Sequence, residues 1–149
     1  MNAAATGLRV SLAGAVAVGG YVHADLYLNH GYRYVHVIGP SFLLQAAVSF
    51  AVAVLVLLGG PWWLRAVAAL LSAGALAALA LSRSVGLFGF TERGWEPSPQ
   101  VAISVVAEVA TLALCAVELT RARRRHIKRP SPRRSGMSSD SSGAVRQQL

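Results

Sequence analysis

Charged residues are scarce in this sequence. Only 13% of the 149 residues are charged, whereas 54% are hydrophobic. A soluble domain of this length needs more charged and polar side chains than this to cover its surface. The composition therefore argues against a water-soluble globular domain and favours a membrane protein.

Cysteine is nearly absent, because Cys115 is the only one. A single cysteine excludes a disulfide framework and any zinc motif built from cysteine pairs. The sequence also lacks a phosphate-binding glycine loop, a nucleophile elbow and a zinc-protease helix motif. No enzyme class is indicated, and a membrane enzyme is the weakest of the functional hypotheses.

Long apolar runs are present instead. A bilayer core needs roughly 20 apolar residues of helix, and four stretches qualify, at about 8–28, 37–58, 62–81 and 101–120. Gly59-Gly60-Pro61 suits the end of one helix and the start of the next. We therefore expect an all-α, four-helix transmembrane bundle. A signal peptide cleaved after Ala24 is the alternative for the first run, although that run is longer than a usual signal core.

Basic residues are concentrated after the last apolar run. Residues up to Thr120 contain five arginines and five acids, so the net charge of +8 lies in residues 121–149. By the positive-inside rule we expect a multi-pass protein of the cell membrane with both termini cytoplasmic. Residues 1–120 would be the membrane domain and 121–149 a disordered polybasic tail. The segment Arg121–Arg134 should attract anionic lipid, and no nucleic-acid partner is expected.

Polar residues recur at helical spacing within the spans. Residues three, four and seven apart share a helix face, and lipid-facing positions disfavour polar types. The polar faces should therefore point into the bundle. They comprise His23, Tyr27 and His30 in the first helix, Ser41, Gln45 and Ser49 in the second, and Ser104, Glu108, Thr111, Cys115 and Glu118 in the fourth.

Some of these polar residues are expected to lie at the same depth in the membrane. His23, Gln45 and Glu108 should all lie roughly 8–12 Å beneath the outer surface, at 1.5 Å of rise per residue. A buried carboxylate in a membrane is by default a functional-site hypothesis. We expect Glu108 to pair first with His23 and second with Gln45, with His30 at the mouth. The alternatives are that Glu108 joins helices structurally and that His30 is an interfacial polar residue.

Two outer segments have simpler interpretations. The tyrosines at 21, 27, 32 and 34 are expected to form an aromatic belt at the interface. Residues 83–100 are expected to form a loop with interfacial anchors at Leu87, Phe88, Phe90 and Trp95. The alternative for this loop is a functional lid over the bundle mouth.

The run HADLYLNHGYRYVHVIGPSFLLQ, residues 23–45, resembles a signature of small four-span integral membrane proteins of high-GC bacteria. In that group an H-x-x-L-Y element leads to G-Y-R, I-G-P and F-L-L-Q. The similarity continues through GLFGFTE at residues 86–92 and to Glu108. These proteins are uncharacterised, so the resemblance implies the fold and no activity.

Two functions remain open at this point. The first is binding or transport of a small ligand, metal ion or haem at an outward-facing pocket of His23, Gln45, Glu108 and His30, with His23 and Glu108 as metal-ligand candidates. No spacing selects one metal, and only the first helix supplies a membrane histidine for haem. The alternative is an accessory subunit that packs against another membrane protein or a second copy of this chain.

Overall fold

The described residues of the computed structural model, 3–89, 91 and 94–127, form four long helices, and side chains are described up to Arg121. The helices are α1 (Ala3–Asn29), α2 (Ile38–Leu57), α3 (Trp63–Ser84) and α4 (Gln100–Ile127). A short 3₁₀ helix, Tyr32–Tyr34, connects α1 to α2. All four are long and apolar enough to cross a membrane, which confirms the predicted fold class.

The predicted boundaries differ from the observed ones by more than three residues at two places. The first helix begins at Ala3 rather than at residue 8. The fourth continues to Ile127, so the first residues of the predicted tail are helical rather than disordered. The rest of that tail, residues 128–149, lies outside the described residues. The arginines after Thr120 therefore extend α4 beyond its apolar segment.

The turn between α2 and α3 follows the predicted Gly-Gly-Pro sequence. Gly59 has a φ of 85°, a left-handed conformation that glycine adopts without strain. The N–H of Gly60 donates to the carbonyl of Leu55 (2.9 Å) and that of Gly59 to the carbonyl of Val56 (3.0 Å). This pair of bonds is the Schellman motif, which satisfies carbonyls at a helix end.

The first helix, α1, makes the most extensive packing contacts of the four helices. It packs against α2 and α4, while α3 packs on α4 and less closely on α2. One apolar cluster lies at the end where α1 begins and includes Leu12, Val56 and Leu64. A second cluster lies at the opposite end and includes Val22 and Leu26. We call this opposite end, which holds the α1–α2 and α3–α4 connections, the loop end.

Most polar side chains of the predicted faces point into the bundle. Thr111 is 1% exposed, Glu108 5% and His23 7%. Large apolar side chains such as Leu70 and Val106 are exposed on the outside. This distribution is the one expected of helices surrounded by lipid.

The prediction that these polar faces point inward was wrong for His30 and Ser41, which are exposed. The Ser41 hydroxyl donates instead to the carbonyl of Val37 one turn earlier.

The tyrosine belt needs one correction. Tyr21 and Tyr34 are exposed, as an interfacial belt requires, but Tyr32 is buried. Its ring stacks on Phe42 with centroids 4.9 Å apart. The prediction was wrong for Tyr32 because the 3₁₀ helix turns this side chain back onto α2.

Candidate functional site

Glu108 lies directly against the backbone of α1. A Cβ atom added at Gly19 would come within 3.0 Å of its Oε1. The helices can approach this closely only because residue 19 has no side chain. Within the residues whose side chains are described, the carboxyl group forms no hydrogen bond and no ion pair. A buried acid is thus positioned by packing alone.

His23 lies one helical turn from Gly19 toward the loop end. Its Nδ1 is 2.8 Å from the carbonyl oxygen of Gly19. A carbonyl oxygen only accepts, so Nδ1 carries the proton and Nε2 of the neutral ring carries the free lone pair. The ring also contacts Phe42 edge-on, with centroids 5.2 Å apart. These contacts fix both the orientation and the tautomer of His23.

His23 and Glu108 line the same cavity in the half of the bundle toward the loop end. The cavity has a volume of about 90 Å³. Most of its wall is apolar, from Leu26, Ile38, Phe42, Ala75, Leu76, Ala78, Leu79, Leu87 and Val101, and its polar groups come from His23, Tyr32, Ser82, Ser104 and Glu108. The sequence therefore identified two of these polar residues as partners, and the structure places them around one space rather than in direct contact.

Gln45 and His30 lie outside this cavity. Gln45 Nε2 donates to the carbonyl of Leu71 at 3.4 Å and so links α2 to α3. His30 is exposed directly after the end of α1, where its Nδ1 is 3.5 Å from the carboxylate of Asp25. The Gln45 side chain is directed toward α3 and not toward Glu108.

A polar link near the loop end holds α1 against the start of α4. Gln100 Nε2 donates to Asp25 Oδ2 at 3.3 Å, and Asn29 Nδ2 donates to Asp25 Oδ1 at 2.7 Å. The link holds together the two helices that carry His23 and Glu108.

The α3–α4 connection supplies one wall of the cavity through Leu87. Arg83 fastens this connection to the end of α3: its guanidinium donates to the carbonyls of Gly94 and Glu96 and lies over the Trp95 ring. Phe88 and Trp95 are exposed, as interfacial anchors would be. Phe90, the remaining predicted anchor, lies outside the described residues.

Metal and haem fit this cavity poorly. Among the described residues no group of three or more His, Cys, Asp or Glu side chains is placed to hold a metal ion. His23 and Glu108 would supply two ligands, and the other polar groups of the cavity are the hydroxyls of Tyr32, Ser82 and Ser104. Protein-bound zinc usually has at least three protein ligands, drawn from Cys, His, Asp and Glu. A cavity of about 90 Å³ is also too small for a porphyrin.

Several cavity residues were not identified from the sequence as part of a site. Phe42 and Tyr32 belong to the resemblance signature, yet their mutual stacking depends on the 3₁₀ turn after Gly31. Ser82 and Leu87 lie at the end of α3 and in its following loop, where no helical repeat links them to His23. Only the three-dimensional packing brings these residues together.

The fold and this cavity define a class, a four-helix protein whose helices are able to span a membrane and which holds a buried His–Glu cavity near its loop end. Comparison with protein-family models, with curated proteins and with solved structures found no match to the chain.

Proposed function

We propose that this protein is an integral protein of the cell membrane that binds a small organic cation, such as a short alkylammonium ion, between His23 and Glu108. The observation that carries this proposal is their shared cavity: two buried side chains line it, and the proton of His23 is engaged by Gly19. Each of the two side chains then offers an acceptor to the cavity. The matching ligand is a donor with positive charge.

Size and aromatic content support an organic cation over a bare metal ion. A space of about 90 Å³ exceeds what one water molecule needs, about 10–15 Å³, and is smaller than the roughly 150 Å³ that holds benzene. The apolar wall suits a short alkyl chain, and the rings of Phe42 and Tyr32 can stabilise a cation. An ammonium group with a few carbons satisfies both requirements.

The proposed orientation places both termini in the cytoplasm. The basic residues from Arg121 onward outnumber those of every other segment, and such residues favour the cytoplasmic side. The cavity then lies in the outer half of the bundle. A reporter that is active only outside the cytoplasm should stay silent when fused at either terminus. Activity of the N-terminal fusion would contradict this orientation.

The ligand proposal is tested by calorimetry on the purified protein in lipid nanodiscs. Methyl-, ethyl-, propyl- and butylammonium form the probe series. Each added methylene buried in the cavity should contribute about 0.8 kcal/mol, or about fourfold in affinity. The gain should stop when the cavity is full. Binding that does not depend on chain length, or tighter binding of Zn²⁺ than of any amine, would contradict the proposal.

The matched control lies on the same helix. Glu108→Gln replaces a charge-assisted hydrogen bond by a neutral one and should weaken propylammonium binding about tenfold or more. Glu118→Gln changes the other α4 glutamate, which pairs with Arg65 at the far end of the bundle. It should leave this binding unchanged. Equal losses in the two variants would indicate a general effect of charge.

A double-mutant cycle tests whether His23 and Glu108 act together. His23→Ala and Glu108→Gln should be non-additive in propylammonium affinity, since one ligand contacts both side chains. His36→Ala and Glu108→Gln should be additive, because His36 does not line the cavity. Additivity of the first pair would separate the two residues functionally. A stoichiometric protein partner with no amine binding would instead support an accessory subunit.

A further inference from the structure

A second cavity lies at the end of the bundle opposite His23. Its volume is about 690 Å³. It is bounded by the first turns of α1 and α3 and by the last part of α4, and its lining includes Arg9, Trp62, Arg65, Leu112, Glu118 and Arg121. Because Trp62, Ala66 and Leu119 are exposed, this cavity opens at the surface of the bundle.

The charges around this cavity are mostly positive. Arg65 forms an ion pair with Glu118, so these two charges compensate each other. The positive charges of Arg9 and Arg121, which also line the cavity, are left without such compensation among the described residues. The Nε atom of Arg9 is buried, and in the part of the chain that the structure describes it has no hydrogen-bond partner. A buried donor without an acceptor is costly. The guanidinium group of Arg9, which carries donors only and lines the cavity, favours a ligand that brings an acceptor.

The wall changes from charged to apolar with depth. Arg65 and Arg121 lie near the helix ends, whereas Ala69 and Leu112 lie farther toward the middle of the bundle on the same helices. Trp62 is exposed beside the arginines, at a position typical of the membrane interface. The cavity thus combines a cationic mouth at interface depth with an apolar groove that reaches into the membrane.

We propose that this cavity binds one anionic phospholipid from the leaflet at this end of the bundle. Its phosphate is held by Arg9 and Arg121, since guanidinium groups match phosphate oxygens in geometry and charge. Part of one acyl chain lies against Ala69 and Leu112. The apolar groove favours a lipid over a free phosphate ion, which would leave it unfilled. This site is distinct from the diffuse attraction of the basic tail for an anionic surface.

The test is a titration of the full-length protein in detergent with phosphatidylglycerol that carries brominated acyl chains, followed by tryptophan quenching near Trp62. Raised salt suppresses the exposed tail's contribution. Phosphatidylglycerol should bind about tenfold more tightly than brominated phosphatidylcholine. Arg9→Gln should weaken its binding about five- to tenfold, and the exposed Arg121→Gln about fivefold. Arg33→Gln, at the loop end, should have no effect.

Three outcomes would overturn the proposal. Phosphatidylglycerol and phosphatidylcholine could bind equally, which would exclude recognition of the charge. Arg33→Gln could reduce binding as much as Arg121→Gln, which would indicate a general electrostatic effect. Inorganic phosphate could displace the lipid at equal concentration, which would identify a free-anion site. If Arg9→Gln does not fold, the comparison of Arg121→Gln with Arg33→Gln still decides between these results.

Discussion

The contact between Gly19 and Glu108 allows a sharp test by adding a single methyl group. In Gly19→Ala the new Cβ would lie 3.0 Å from Glu108 Oε1, so the carboxyl group must shift by a few tenths of an ångström. Overpacking of this kind costs about 1–3 kcal/mol. The substitution also favours the helix by about 1 kcal/mol, because alanine has the higher helix propensity. These two effects partly cancel, so a matched variant is needed.

Gly14→Ala provides that control on the same helix. A Cβ there meets nothing within 4 Å, so only the propensity effect remains. We expect the free energy of unfolding of Gly19→Ala to be about 1–3 kcal/mol below that of Gly14→Ala. Equilibrium unfolding in bicelles, followed by circular dichroism, measures this difference. The double variant Gly19→Ala, Glu108→Asp should recover part of this lost stability, since the aspartate side chain is shorter and leaves room for the new methyl group. A difference below about 0.5 kcal/mol would refute the close α1–α4 contact.

Two further predictions concern residues outside the cavity. Gln45→Ala removes the hydrogen bond to the carbonyl of Leu71 and should lower the free energy of unfolding by about 0.6 kcal/mol. The propylammonium affinity measured by calorimetry should not change. A loss of affinity would show that Gln45 belongs to the binding site. Gly59→Ala forces alanine into a left-handed conformation and brings its Cβ close to Arg9, so it should lower the free energy of unfolding by about 1–2 kcal/mol. The control Gly74→Ala, where the added Cβ meets open space, should cost nothing in the same assay. Equal effects of the two variants would contradict the Schellman turn.

The fold was predictable because membrane helices leave a strong one-dimensional signal. Each span needs a long apolar run, and Gly59-Gly60-Pro61 marks one of the turns. The helical ends were less predictable. The segment after Thr120 is rich in arginine, which is a good helix former, so α4 continues beyond the apolar residues that define its span.

The site was predictable in part. Helical spacing correctly oriented Glu108 into the bundle, and depth matching placed it near His23. Depth alone does not fix which neighbouring helix a side chain meets, so Gln45 was assigned to Glu108 although it contacts α3. The role of Tyr32 depends on a 3₁₀ turn for which the sequence carries no periodic pattern.

Glu108 lies against Gly19, beside the cavity for which we propose a small cation as ligand. Solid-state NMR on the protein in lipid bilayers, with ¹³C-labelled glutamate and glycine, measures both the contact and the binding in one sample. We predict a cross-peak between the Glu108 carboxyl carbon and Gly19 Cα, and a shift of that carboxyl signal when propylammonium is added. The Glu118 carboxyl signal, at the opposite end of α4, should not move. Absence of the cross-peak would contradict the contact between Glu108 and Gly19, and equal shifts at Glu108 and Glu118 would contradict cation binding in this cavity.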